Sequence, residues 1–294
     1  MNKFMRAVGF SEYKTNRKLN QIFEAASRKP DTYAEYTNTE KNTVFELTKM
    51  AGDGFGLTWI GTKEDGELLY EYCYPFIKGT KYFSKADVSL EERATGNIYS
   101  AAFEDFRVGV FIIFFVQNGI EYLGIQEKSD NETGRTTMAL SGLALNGTIL
   151  LPLAFSEEEQ QRKVKEQKKR IRLLTAARKG DEKAMESLAY QDMDIYTRVS
   201  KRILTEDVFS IVTTHFMPCG VECDHYNIMG EILEVRLLEN NKTEEKIYAL
   251  TIETNEIVLD ICINQEDLMG EPLPGRRFRG IIWLQGLVHF EEKW

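Results

Sequence analysis

The feature that most constrains how this chain folds is the order of candidate elements in its C-terminal segment, residues 205–294. Three strand-like runs come first, a short turn or helix follows, and two further strand-like runs close the segment. They lie at 226–238, 247–254, 257–263, 266–270, 278–284 and 287–290. This pattern indicates one small all-β module.

The same order of elements occurs in oligonucleotide/oligosaccharide-binding (OB) barrels, and a generic five-stranded sheet would also give it. We predict an OB-like small β-barrel for residues 205–294. Because small barrels are usually recognition modules, this prediction favours binding over catalysis.

The first 155 residues are predicted to form an α+β domain with a mainly antiparallel sheet and a flanking helix. A short strand is expected at 4–8, followed by a helix that runs from its N-cap Thr15 to Ser27. Asn-Gly pairs at 118–119 and 146–147 predict two β-hairpins, since glycine accepts positive φ in a tight turn. Further strands are expected at 44–50, 55–61 and 68–74.

Residues 156–204 are predicted to form a central helical hairpin. Ser156 and Glu159 have the spacing of a capping box, and Gly180 followed by Asp181 ends one helix and begins the next. A third helix is expected at 195–203. The predicted domains are therefore an α+β domain at 1–155, a helical connector at 156–204 and an OB-like domain at 205–294.

The three predicted parts differ in charge. Residues 1–155 carry 17 basic and 20 acidic side chains, residues 156–204 carry 13 and 9, and residues 205–294 carry 7 and 17. The net charges are −3, +4 and −10, which add up to the −9 of the whole chain. This negative balance disfavours nucleic acid and anionic membranes as partners unless a local basic patch contacts them.

The composition is that of an ordinary soluble globular protein, with 43% hydrophobic and 28% charged residues. The longest apolar run, 108–116, is too short to span a bilayer as a helix, and the first residues lack the pattern of a signal peptide. Four cysteines are too few for a disulfide framework in 294 residues. We therefore expect a cytoplasmic protein that does not contact membranes.

His215, Cys219, Cys223 and His225 lie within eleven residues and offer the thiolate and imidazole ligands that Zn²⁺ prefers. The spacing contains no Cys-x2-Cys pair, and one short segment would have to supply every ligand. The plainer interpretation is a loop that enters a strand and buries a cysteine as a small apolar residue. We expect no cofactor, with Zn²⁺ or a reactive Cys–His pair as the alternatives.

The segment 162–179 contains nine basic residues and one acidic residue, Glu166. This pattern fits contact with RNA phosphates or with an acidic protein. A solvated helix that pairs with the acidic parts of the same chain would give the same pattern, so nucleic acid is not the preferred partner. The basic residues are Arg162, Lys163, Lys165, Lys168, Lys169, Arg170, Arg172, Arg178 and Lys179.

Arg276, Arg277 and Arg279 cluster at the entrance of a predicted strand in the most acidic part of the chain. Guanidinium groups fit carboxylates and phosphates, so an anion-binding edge is one interpretation. Ion pairing with acidic residues at 266–271 and protection of an edge strand is the other. The central strands offer only Tyr248 as a stacking aromatic, which argues against single-stranded nucleic acid.

The sequence predicts no catalytic residues. It contains three histidines and no Gly-x-Ser-x-Gly, Walker A or Gly-x-Gly-x-x-Gly pattern. Whether the protein is an enzyme therefore stays open.

Two motifs carry a resemblance to a known family. They are CDxYxIxGEI at 223–232 and GEPxxGRRFxGxIWLQG at 270–286. With these motifs the whole chain resembles an uncharacterised family of clostridial (Firmicute) proteins. The resemblance implies a cytoplasmic bacterial protein and supplies no activity, substrate or site residue.

We predict a non-catalytic intracellular binding or scaffolding protein that contacts another protein through the C-terminal β module or the helical connector. One alternative is a metal-binding protein or enzyme that uses His215, Cys219, Cys223 and His225. Another is RNA binding through the basic helix at 162–179.

Overall fold

The fold is α+β in the computed structural model, which describes residues 2–38, 41–85, 88–93, 96–105, 110–126, 136–153 and 157–290. Among the helices in these ranges, none combines the length and the apolar content needed to cross a membrane. The α-helices are α1 (Asn16–Arg28), α2 (Gly119–Gln126), α3 (Glu157–Arg178), α4 (Glu182–Ile203) and α5 (Val208–Ile211).

A four-stranded antiparallel sheet forms near the N-terminus, in the order β1-β2-β3-β4. The helix α1 covers one face, where the Phe23 ring packs against Phe45, Trp59 and Tyr70. The predicted sheet with a flanking helix is therefore present. Its strands are β1 (Thr32–Thr37), β2 (Thr43–Gly52), β3 (Phe55–Glu64) and β4 (Glu67–Ile77).

A second, larger sheet contains eleven strands within the described ranges, and its main path runs β10-β11-β12-β13-β9-β15-β8-β7-β6. Strands β5 and β14 pair with β9 beside this path. The bounds are β5 (Tyr82–Lys85), β6 (Val88–Glu92), β7 (Tyr99–Asp105), β8 (Val110–Val116), β9 (Thr136–Leu150), β10 (His215–Pro218), β11 (His225–Glu239), β12 (Lys246–Thr254), β13 (Ile257–Asn264), β14 (Leu268–Met269) and β15 (Arg277–Phe290).

Five strands of the larger sheet pair in a cycle. Strands β11, β12 and β13 form an antiparallel meander, β13 pairs in parallel with β9, and β15 pairs antiparallel with both β9 and β11. Apolar side chains from all five strands are buried together; they include Leu140, Ile228, Leu250, Ile261 and Phe278. An OB-like barrel built from 205–294 alone is not confirmed, because β9 supplies the strand between β13 and β15. The division at 155 and 205 stays a prediction.

The hairpin predicted at Asn118-Gly119 is wrong. Strand β8 ends at Val116, and the helix α2 begins at Gly119. Both edges of β8 are already occupied, by β7 on one side and by β15 on the other, so a returning strand has no edge to join. Asn118 instead bonds through its side chain to the backbone of Val288 in β15, at 2.8 and 3.1 Å.

The hairpin predicted at Asn146-Gly147 is also wrong, because both residues lie inside the continuous strand β9. Gly147 pairs with Gly280 of β15, and a Cβ atom at Gly147 would lie 2.4 Å from Cε2 of Phe278. The glycine is therefore needed for close packing and not for a turn.

Two further element predictions need correction. Residues Lys3–Val8 form a 3-10 helix rather than a strand, and the Asn2 side chain caps it by accepting from the N–H of Phe4 at 3.0 Å. The two strands expected at 278–284 and 287–290 are one strand, β15, because its pairing with β9 continues without a turn to Phe290.

The helical hairpin is present as α3 and α4, which pack against each other. Asp181 caps α4 as predicted: its Oδ1 accepts from the N–H groups of Lys183 and Ala184 at 3.0 and 3.1 Å. The helix predicted at 195–203 is the second half of α4. Ser156, the predicted cap of α3, lies outside the described residues.

The dependence of the strand cycle on β9 can be tested with fragments. We expect residues 205–290 alone to show no cooperative urea transition by circular dichroism, because β13 and β15 would each lose a ladder. Appending residues 136–150 after Phe290 through a short linker should restore the transition, since Phe290 pairs with Thr136 and the strands run antiparallel. Cooperative unfolding of the fragment without β9 would contradict this expectation.

Candidate functional site

The three arginines of the predicted anion-binding edge have three different environments. Arg276 donates to the backbone oxygen of Glu271 at 2.7 Å and forms an ion pair with its carboxylate at 3.4 Å. Arg277 is buried and donates to the backbone oxygens of Leu151 and Val212 at 3.2 and 3.0 Å. Burial lowers the pKa of Arg277. The acids Glu266 and Asp267, expected as partners, pair with Arg6 instead.

The guanidinium group of Arg279 lies 4.7 Å from the ring of Phe209, just inside α5. Arg279 also lines a cleft of about 310 Å³ together with Thr148, Asn227 and Asp267. The triplet therefore does not form one anion-binding surface, and Arg279 alone faces a cleft with polar neighbours. Anion binding stays a prediction for this cleft.

The histidines and cysteines of the predicted metal site engage other partners. His215 bonds through Nε2 to Oδ1 of Asn227 at 3.0 Å, and His225 bonds through Nδ1 to Asp224. Cys219 is half-buried and Cys223 is exposed. Within the part of the chain that the structure describes, no three His, Cys, Asp or Glu side chains form a group that could hold a metal ion. Zinc binding stays a prediction without geometric support.

A polar centre forms around Asp224, which directly precedes β11 and is buried. Its Oδ2 accepts from Nη2 of Arg93 at 2.5 Å and from Nε1 of Trp283 at 2.8 Å. Its Oδ1 accepts from Nδ1 of His225 at 3.0 Å. Arg93 follows β6 and Trp283 lies in β15, so one carboxylate joins three distant parts of the chain.

The charge state of Asp224 follows from this environment. Burial would raise its pKa, but the hydrogen bond from His225, the charge and hydrogen bond of Arg93 and the bond from Trp283 together lower the pKa to about 2. The side chain is therefore a carboxylate, and Nδ1 of His225 must carry the proton that it donates. Nε2 of His225 is buried without a hydrogen-bond partner. The centroids of the His225 and Phe4 rings lie 5.4 Å apart. This arrangement fixes the orientation of the His225 ring.

The helical hairpin presents several exposed apolar side chains on one helix. On α4, Met185, Ala189, Met193, Tyr196 and Ile203 follow helical spacing and lie on one face, which we call the α4 stripe. Tyr196 is 75% exposed and Met193 is 68% exposed. Ala184 and Leu188, on another side of α4, are buried. An ion pair between Arg170 and Asp192 at 2.7 Å places α3 beside the stripe.

The exposed residues of α3 in the described range are mainly basic. Lys165, Lys168, Lys169 and Arg172 are exposed, whereas nothing is described for the side chains of Arg162 and Lys163. Arg178 forms an ion pair with Glu104 of β7, so the end of α3 contacts the protein's own acidic surface.

A family profile for a domain of unknown function, with an E. rectale gene description (DUF3881), matches residues 5–286. The chain belongs to the DUF3881 family. This match confirms the resemblance to an uncharacterised Firmicute family over nearly the whole chain. Searches of curated proteins and of solved structures found no match. The DUF3881 assignment therefore leaves the function to be inferred from the geometry.

Sequence reasoning selected His225 but missed the centre to which it belongs. Asp224 stood in the family motif, yet Arg93 lies 131 residues away and Trp283 lies 59 residues away in sequence. Nothing in the spacing of these residues signals their contact. The helical spacing of the α4 stripe is visible in the sequence. The prediction for this region nevertheless rested on the basic residues of α3.

The polar centre makes a prediction about pH-dependent stability. The pKa of Asp224 in the folded protein, about 2, lies below its ordinary value of 3.8. Its contribution to the free energy of unfolding is therefore present above about pH 4 and is lost as the pH falls towards 2. Asp224→Asn should lower the free energy of unfolding at pH 7 by about 2 kcal/mol.

Urea titrations between pH 3 and pH 7 test this expectation, and the difference between wild type and variant should shrink at the acidic end. Asp53→Asn is the control, because the Asp53 side chain is 81% exposed. An effect of Asp224→Asn that is no larger than that of Asp53→Asn would contradict the assignment.

Proposed function

We propose that this protein is a non-catalytic binding protein whose helical hairpin contacts another protein. The observation that carries the proposal is the α4 stripe, an apolar face that no other part of the described chain covers. Met185 and Ile203 are each about half exposed, and Met193 and Tyr196 are exposed for the greater part. Contiguous exposed apolar surface of this kind marks interaction sites in soluble proteins.

The energy of burying the stripe is sufficient for a contact. Covering one large apolar side chain contributes roughly 1.5–3 kcal/mol, before the cost of association is subtracted. Tyrosine and methionine are enriched in protein interfaces, because one combines apolar area with a polar tip and the other adapts its shape. The four large side chains of the stripe would form the centre of such an interface.

The charge of α3 indicates the chemistry of the partner. Lys165, Lys168, Lys169 and Arg172 are exposed on the helix that packs beside α4. A partner that laid an apolar helix along the stripe and presented acidic residues towards α3 would match both surfaces. Contact with RNA phosphates would use α3 and leave the stripe exposed, so a protein partner accounts for more of the hairpin.

The strand cycle supports a finer proposal about the fold. We propose that β11, β12, β13, β9 and β15 form an OB-like barrel, with β9 as a strand supplied from the N-terminal half. The support is the ladder pattern, together with the 3-10 helix Gln265–Asp267 between β13 and β15. OB-like barrels are mostly recognition modules, which agrees with a binding function.

The cytoplasm is the compartment that we propose. All four cysteines are free, as is usual where thiols are kept reduced. Burial raises the pKa of Cys73 and of Cys262, so both thiols stay protonated and behave as small apolar groups.

Photo-crosslinking from two positions on α4 tests the proposed contact. Tyr196 lies on the stripe, whereas Tyr190 is 66% exposed but lies about 120° around the helix. A benzophenone side chain placed at position 196 in the native host should give a discrete adduct with another protein. The same probe at position 190 should give much less, and Met193→Glu should remove the adduct from position 196.

The outcomes distinguish the proposal from its competitors. An adduct that contains only two copies of this chain would replace the protein partner with self-association. A nuclease-sensitive adduct would favour RNA. Equal labelling from both positions, or none from position 196, would overturn a contact through the α4 stripe.

A further inference from the structure

A cavity of about 370 Å³ lies between the four-stranded sheet and the helix α2. Its volume is near the lower end of the range found for small-molecule sites, roughly 300–1,000 Å³. The sheet supplies Ala34, Glu46, Thr48 and Thr58, and the segment at the start of α2 supplies Gln117 and Glu121. This cavity is separate from the helical hairpin and from the Asp224 centre.

The register of the sheet explains which residues face the cavity. Glu46 pairs with Ala34 of β1, and Thr48 pairs with Thr58 of β3. Side chains alternate between the two faces of a strand, so Phe45 points to the other face, where it packs against α1. Glu46 and Thr48 therefore project towards α2.

Two buried oxygen atoms in the cavity wall have no hydrogen-bond partner. They are Oε2 of Glu46 and Oε1 of Gln117. Gln117 is only 6% exposed, and its Nε2 donates to Ile77 O, Ser141 Oγ and Gln285 Oε1 at 2.9, 3.2 and 2.8 Å. These bonds fix the orientation of the amide, so Oε1 is held in place as an acceptor without a donor.

Buried acceptors of this kind are uncommon because leaving one unsatisfied lowers stability. The hydroxyl groups of Thr48 and Thr58 bond to each other at 2.9 Å, which uses one of their two protons. Among the described residues that line the cavity, Oε2 of Glu46 and Oε1 of Gln117 are the buried side-chain polar atoms without a hydrogen-bond partner. A ligand that donates hydrogen bonds would satisfy Oε1 of Gln117, and also Oε2 of Glu46 when that carboxyl is ionised.

The electrostatics of the cavity favour a cation. Glu46 is half-buried with its Oε2 atom out of contact with water. Burial raises its pKa to about 8, although a hydrogen bond from the N–H of Ile120 opposes the shift and Glu121 adds to it. A positive charge beside Glu46 would restore the ionised form. The other titratable groups around the cavity and Glu46 are, by element, Tyr33 and Glu35 on β1, Lys63 on β3 in an ion pair with Glu35, Tyr74 on β4, Lys78 just after β4, and Glu121 on α2.

We propose that this cavity binds a small organic cation, a primary ammonium compound, whose N–H groups donate to Glu46 and Gln117. The lining contains the carboxyl groups of Glu35, Glu46 and Glu121 and the ammonium group of Lys78, and Glu35 is paired with Lys63 at 2.8 Å. Within the described residues no group of three His, Cys, Asp or Glu side chains suits a metal ion, which makes an organic cation the matching ligand. This site does not depend on the proposed contact of the hairpin, because the two share no residue.

Matched pairs of amines and alcohols test the proposal on the full-length protein. Isothermal titration calorimetry would compare 1,4-diaminobutane with 1,4-butanediol, and benzylamine with benzyl alcohol. At least one amine should bind with one equivalent and at least about tenfold more tightly than its alcohol. Its affinity should rise between pH 6.5 and pH 8.5, and titrations in buffers of different ionisation enthalpy should reveal proton release.

Glu46→Gln separates a binding role from a structural one. A folded pKa above the ordinary value of 4.5 means that Glu46 destabilises the fold increasingly from pH 4.5 up to about 8. The glutamine variant should therefore unfold at an equal or higher temperature at pH 7.5, while amine affinity falls at least about tenfold. Glu67→Gln, an exposed position on β4, is the control and should change neither quantity.

Each outcome of these titrations either supports or overturns the proposed ammonium site. Saturable amine binding that Glu46→Gln removes without loss of thermal stability supports the site. Equal affinity for amine and alcohol, binding retained by Glu46→Gln, or an affinity independent of pH would overturn it. The absence of saturable binding by both amines would also overturn it.

Discussion

The structure depends on the position of β9 between β13 and β15. Strand β9 pairs in parallel with β13 and antiparallel with β15. It also pairs with β5 and β14. Strand β9 precedes the helical hairpin in the sequence, whereas β13 and β15 follow it. The ladders that β9 forms with these two strands therefore join residues from opposite sides of the hairpin in the sequence. Such long-range pairing makes the two halves cooperative, since neither can complete its hydrogen bonds without the other.

Local sequence signals predicted the helices and strands whose packing or pairing depends on residues close to them in the sequence. The helix α1, strands β2 to β4 and the cap at Asp181 all follow from capping residues, turns and periodicity close to them. The failures have a common physical cause. Asn-Gly at 118–119 and at 146–147 satisfies the rules for a tight turn, but distant strands already occupy the edges that a hairpin would need. Tertiary pairing therefore decides between turn, helix and strand, and no local pattern records it.

The candidate sites show the same limit. His225 was recognisable as a residue with chemistry, yet its partner network consists of Arg93, Asp224 and Trp283, which come together only through the fold. The arginine triplet was recognisable as a cluster, but buried Arg277 turns to backbone carbonyls while its neighbours take other partners. Residue type and spacing identified where charge is concentrated. They did not identify which groups are desolvated, and desolvation changes both the pKa and the hydrogen-bonding needs of a charged group.

Two features run against the stability or solubility of the chain, and they do so in different ways. The α4 stripe leaves apolar area in water without weakening the packing of any core, so it lowers the solubility of the chain. The proposed protein partner would remove this effect by covering the stripe. Glu46 instead weakens the folded state at neutral pH, because the unfolded chain ionises it freely and the folded chain does not. A substitution to glutamine would relieve that cost with little change of shape. The ammonium ligand proposed for the cavity would offset this cost, because a positive charge beside Glu46 stabilises its ionised form.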